Sequence, residues 1–161
     1  MVEEKTKTYF YYRIWEALPG LVERLSKLYK DNLLAVFVFG STARGDVSQS
    51  SDVDLLIILE QSPLRKRQRV YEFYEKLGFD LGEHFLSPII LTKEEITKSL
   101  PYYAGILNEG KVLYEKDKFA KSLLNSIERL KEQGKIVEKE LRGVRYFLVR
   151  EEEEVEQKEA C

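Results

Sequence analysis

Two apolar runs of seven residues, Leu33–Phe39 and Val53–Leu59, constrain the fold of this chain more than any other feature. Each is nearly continuous in Leu, Val, Ile and Phe, and each is too short for a buried helix. Such runs predict strands covered on both faces, so the sheet they form needs helices above and below it. Between them lies a polar stretch of Gly, Ser and Asp, residues 40–51.

The rest of the chain supplies those helices. From Lys5 to Asn32 the residues Phe10, Ile14, Leu18, Leu21, Leu25 and Leu28 recur at steps of three and four, one face of an amphipathic helix. Pro19-Gly20 is expected to split it in two. Gln61-Ser62-Pro63 opens a helix over about 64–77, and Gly78 to Gly82 reads as a loop. Phe85 to Leu91 is a third strand, with Pro88 marking an edge or a bulge. Thr92 and Glu95 form a capping box for a short helix. A second short helix to Asn108 and a small strand at Lys111 to Tyr114 follow. Beyond Lys116, the apolar positions Phe119, Leu123, Leu124, Ile127, Leu130, Ile136 and Val137 predict one or two closing helices. Residues 151–159 hold six Glu and one Lys, an acidic tail. The expected fold is α/β (α+β): a small mixed sheet flanked by helices. Its segments are an N-terminal helical part (1–32), a core (33–115), C-terminal helices (116–150) and the tail (151–161).

At 161 residues the chain can bury a core without a disulfide or metal staple, and its one cysteine, Cys161, has no partner within the chain. The opening Met1-Val2-Glu3-Glu4-Lys5 has no apolar signal core, and no run approaches the length of a membrane span. A cytoplasmic location away from membranes is therefore expected. With 26 Lys plus Arg against 28 Asp plus Glu, overall basicity does not draw it to nucleic acid. The basic cluster Arg65, Lys66, Arg67 and Arg69 is the one feature that would, and a solvated helix face accounts for it as well.

The chemistry-bearing segment is Gly40-Ser41-Thr42-Ala43-Arg44-Gly45-Asp46, followed by Ser51-Asp52-Val53-Asp54. A Gly-Ser turn where a buried strand stops lets backbone N–H groups approach a phosphate while the hydroxyl donates to it. Asp52 and Asp54, two apart at the start of a strand, project from one face. Two such carboxylates suit Mg²⁺, which is held by one or two carboxylates together with substrate phosphates. Turn and strand punctuation uses the same residue types. Asp54 stands out, because a charge inside Val53-Asp54-Leu55-Leu56-Ile57-Ile58 costs stability unless paired or bound to metal.

The full spacing, Gly40-Ser41, ten residues, then Asp52-Val53-Asp54, resembles the signature of the DNA polymerase beta-type nucleotidyltransferase superfamily, closest to its minimal nucleotidyltransferases. The resemblance covers about residues 33–114. It implies that Gly40 and Ser41 hold the triphosphate of ATP or another nucleoside triphosphate, and that Asp52 and Asp54 hold two Mg²⁺ ions. It also implies that Arg44, in the family's frequent Arg-Gly pair, touches phosphate or stabilises the turn. The implied reaction moves a nucleoside monophosphate, AMP first among them, to a hydroxyl of a partner protein or small molecule. So short a chain is expected to need a protein partner or a second copy to complete its acceptor site.

One departure matters. Full members carry a third carboxylate on a neighbouring strand, and near Ile89, where it is expected, there is none. Asp80, Glu83 or a residue from a partner are the alternatives. Loss of the third acid favours a second reading, a catalytically weak or inactive nucleotide-binding module serving as a sensor or assembly partner. His84, the only histidine, is more readily a structural residue than an acid, base or ligand. The aromatic run Tyr9 to Tyr12 with Trp15 suits core or partner contacts equally.

Overall fold

Burial on both faces of the two apolar runs is what the computed structural model, which describes residues 7–150, displays. Leu33–Phe39 forms β1 and Val53–Leu59 forms β2, paired antiparallel with Phe39 opposite Asp54. After helix α3 (Lys66–Leu77) and a two-residue strand β3 (Asp80–Leu81), β4 (His84–Thr92) runs parallel to β2. Strand β5 (Lys111–Glu115) lies antiparallel on the other side of β1, giving the order β3-β4-β2-β1-β5. Mixed strand directions and flanking helices make this the α+β architecture that the sequence predicts.

Alternation along the central strands divides the core into two layers. Val36, Val38, Val53, Leu55 and Ile57 face α1 (Tyr9–Tyr29) and Phe73 and Leu77 of α3. Ala35, Phe37, Leu56, Ile58 and Leu91 face α4 (Lys93–Lys98), α5 (Leu100–Glu109) and α6 (Phe119–Glu132). Thr92 and Glu95 close the expected capping box at the start of α4.

Three expectations are corrected. Pro19-Gly20 does not divide α1, which runs unbroken from Tyr9 to Tyr29. Both residues face solvent, so water can satisfy the carbonyl that proline leaves without a donor, while Ile14, Leu18, Leu21 and Leu25 stay buried as one stripe. The loop expected over 78–82 contains β3, whose Asp80 and Leu81 pair with Phe85 and His84. Past Lys116 there is one helix, α6, and then a hairpin of β6 (Ile136–Leu141) and β7 (Val144–Val149) instead of a further helix. Gly134, at φ +70°, carries the chain out of the helix. The two-residue loop Arg142-Gly143, both at positive φ, then reverses it in the manner of a type I′ turn. Phe147 and Val149 pack that hairpin onto the second core layer. The acidic tail expected at 151–161 lies outside the described residues. Among the described residues no helix is long and apolar enough to cross a membrane.

Candidate active site

Because β1 is antiparallel to β2 and β2 is parallel to β4, the end of β1 and the starts of β2 and β4 meet at one end of the sheet. There β1 gives way at Gly40 to a single helical turn, α2 (Ser41–Arg44). Gly40 has φ +67°, and a Cβ on it would overlap Oδ2 of Asp54. Glycine is thus what lets the turn close directly over the Asp54 carboxylate. The amides of Ala43 and Arg44 return to the Gly40 carbonyl at 3.1 and 3.0 Å. Those of Ser41 and Thr42, at the helix start, come before the first intrahelical donors.

Asp52 is exposed and Asp54 half-buried, and the two share a face of the chain entering β2. Burial, then the charge of Asp52, raise the Asp54 carboxyl above the ordinary aspartate value. The Arg44 guanidinium opposes this, and the Glu109 carboxylate adds to it. Arg44 is exposed and bonded twice: Nη1 donates to Glu109 at 2.7 Å and Nε to Asp46 at 3.4 Å.

Helix α1 braces this end of the sheet. Trp15 Nε1 donates to the Thr42 carbonyl at 3.2 Å, and Thr8, which caps α1, donates to the Val47 carbonyl at 2.7 Å. The aromatic start of α1 therefore divides. Phe10, Tyr11 and Trp15 pack on the core, while Tyr9 and Tyr12 are exposed. His84 is buried, with Nδ1 2.8 Å from the Ser51 carbonyl. A carbonyl only accepts, so Nδ1 carries the proton and pins the segment that leads into Asp52. Arg69 leaves the basic cluster altogether. It is buried and donates to the carbonyls of Leu64 and Ile90 and to Glu95. Arg65, Lys66 and Arg67 stay exposed.

The register places Ser87 of β4 beside Asp54, so that position on the neighbouring strand holds a hydroxyl. Asp80 and Glu83 are exposed, and neither is among the charges that act on Asp54. Glu109, at the end of α5, is. The sequence reading missed it, although it is the only charged residue of α5 and directly precedes a glycine. Among the described residues no three His, Cys, Asp or Glu are grouped to hold a metal. The pair still fits Mg²⁺ bound jointly with a polyphosphate. Two carboxylates on one face, one of them raised by burial and by its neighbour, gain from a cation that phosphate oxygens help to hold.

A family model described as polymerase beta, nucleotidyltransferase matches residues 23–119. A Methanocaldococcus jannaschii protein named "putative protein adenylyltransferase" is 32% identical over 117 residues, covering 68% of this chain and 78% of that protein. Of solved structures, a nucleotidyltransferase so described from Sulfolobus solfataricus superposes with a TM-score of 0.53 at 21% identity, covering 73% of this chain and 95% of that one. A variant of the toxin–antitoxin MntA–HpeT gives a TM-score of 0.52 at 17% identity, with 73% and 88% covered. At these identities the two structures speak to the fold.

Proposed function

The chain belongs to the polymerase beta nucleotidyltransferase family, and from that premise we propose that it moves AMP from ATP to a hydroxyl of a partner protein in a Mg²⁺-dependent reaction. One observation carries this reading. Asp54 lies directly beneath the Gly40 turn and on the same face as Asp52, so a polyphosphate on the turn meets both carboxylates.

Each residue has a stated task. The amides opening α2 and the Ser41 hydroxyl receive the phosphates, and Arg44 neutralises part of their charge. Asp52 and Asp54 present the oxygens for two Mg²⁺ ions. When bound, the metal lowers the pKa of the acceptor hydroxyl and offsets charge on the attacking and leaving oxygens. The acceptor oxygen bonds to the α-phosphorus while the bond to the bridging oxygen breaks. Pyrophosphate leaves with that electron pair, and the hydroxyl proton passes to solvent. AMP as the group and a protein as the acceptor are supported by the name of the Methanocaldococcus jannaschii relative. A protein partner is further supported by the toxin–antitoxin neighbour.

Ser87, standing where a carboxylate would neighbour Asp54, favours a second reading: nucleotide binding with weak or absent turnover. Calorimetric titration with a non-hydrolysable ATP analogue, with and without Mg²⁺, tests what the two readings share. Mg²⁺-dependent binding that an Asp52→Asn/Asp54→Asn variant loses is expected; binding indifferent to the variant refutes the site. Pyrophosphate release from ATP then separates the enzyme from the binding module.

A further inference from the structure

Arg44 and Glu109 are 65 residues apart in sequence, yet they form a 2.7 Å ion pair. Glu109 is set where helix electrostatics disfavour it. It ends α5, whose last turn holds no basic residue, and a negative charge there opposes the helix dipole. The backbone next to it is also built for close approach. A Cβ on Gly110 would come within 2.9 Å of the Ile106 carbonyl oxygen and 3.4 Å of the Val38 carbonyl oxygen. Glycine therefore lets α5 end against β1, the strand that leads into the Gly40 turn. Helix end, glycine and ion pair together keep a carboxylate beside Arg44. Glu109 also lines a groove of about 370 Å³ between α5 and β7, shared with Tyr146 and Arg145, so its carboxylate is open to solvent and to an incoming ligand.

We propose that Glu109 is a positioning residue, the resident counter-ion of Arg44, and that the polyphosphate of the nucleotide exchanges with it. The proposal rests on the nucleotide-binding reading above and adds a control to it. Until nucleotide arrives, the carboxylate holds the guanidinium beside the turn. A polyphosphate offers several charges and bidentate geometry, and so displaces a single half-exposed carboxylate. Glu109 then faces Asp54 and the phosphates as a like charge, and a divalent cation relieves that repulsion. The pair thereby penalises polyphosphate that arrives without its cation.

The test is calorimetry with two probes, inorganic tripolyphosphate and a non-hydrolysable ATP analogue, each with and without Mg²⁺. In the Glu109→Gln variant, cation-free binding is expected to tighten about two- to fivefold, the scale of a half-exposed ion pair. Binding with Mg²⁺ changes less, so the ratio of the two affinities shrinks. Glu109→Asp, which keeps the charge, retains the wild-type ratio. On an Arg44→Gln background the release term is gone, and Glu109→Gln gives a smaller gain. A purely structural Glu109 predicts that Glu109→Gln weakens binding equally with and without Mg²⁺; that result, or an unchanged ratio, overturns the exchange while leaving the nucleotide site intact. Binding of neither probe by the wild type overturns the nucleotide reading and the exchange with it.

Discussion

Gly40→Ala puts the central geometry of the site at risk with a single methyl group. Gly40 sits at φ +67°, ψ −148°, a region that costs a residue with a Cβ on the order of 1–3 kcal/mol. The added Cβ also overlaps Oδ2 of Asp54, so either the turn shifts or Asp54 leaves its rotamer, at about 0.5–1.5 kcal/mol. Together these give a loss of about 2–4 kcal/mol. For a chain of this size the thermal midpoint then falls by roughly 5–15 °C.

Urea unfolding measures the loss directly, as a lower midpoint at unchanged slope. A double-mutant cycle separates its two causes. Asp54→Ala removes the overlap but not the backbone strain, so Gly40→Ala should cost less on that background by about 0.5–1.5 kcal/mol. Binding of the ATP analogue should fail in Gly40→Ala under conditions where the protein is still folded. A loss below about 1 kcal/mol, or a strictly additive cycle, would refute the claim that the turn closes over Asp54 only because residue 40 is glycine.

Arg69→Met should destabilise the fold by about 2–3 kcal/mol in chemical denaturation, since it leaves the Leu64 and Ile90 carbonyls and Glu95 without their charged donor; a change under about 0.5 kcal/mol would mean that water replaces it. Burial raises the Glu95 carboxyl, but the Thr92 amide and Arg69 outweigh this and hold it below the ordinary glutamate value. Its contribution is therefore complete above the unfolded-state value and is lost as pH falls through the lowered folded value, so Glu95→Gln should flatten the acid side of the stability profile. Asp54→Asn should raise the thermal midpoint of the cation-free protein by a few degrees, because it removes a half-buried charge beside Asp52 while abolishing Mg²⁺-dependent nucleotide binding.

The parts of the molecule legible in the sequence are those decided by local chemistry. Seven consecutive apolar residues leave little choice but a covered strand, and a capping box such as Thr92 with Glu95 is closed within one helical turn. The hairpin over 136–149 was harder. Its Arg142-Gly143 loop lacks the Asn or Asp that usually marks such a turn, and Ile136 and Val137 extend the helical spacing of α6 by coincidence. Pro19 misleads because a proline usually breaks a helix, whereas here the buried stripe of Ile14, Leu18, Leu21 and Leu25 continues past it and Pro19 itself faces water.

The site divides along the same line. Gly40, Ser41, Asp52 and Asp54 can be read together because one antiparallel pair, β1 with β2, joins them, with Phe39 opposite Asp54. Glu109 depends on the next strand over. Only because β5 takes the other side of β1, with Lys111 opposite Val38, does the end of α5 arrive beside Arg44. Asp80 and Glu83 are both exposed, and neither acts on the Asp54 charge. Asp80 sits on β3, the edge strand, with β4 between it and β2, while Glu83 sits in the turn that leads from β3 into β4. Glu109, whose charge does act on Asp54, comes instead from the helix end that β5 anchors beside β1, where Arg44 holds it.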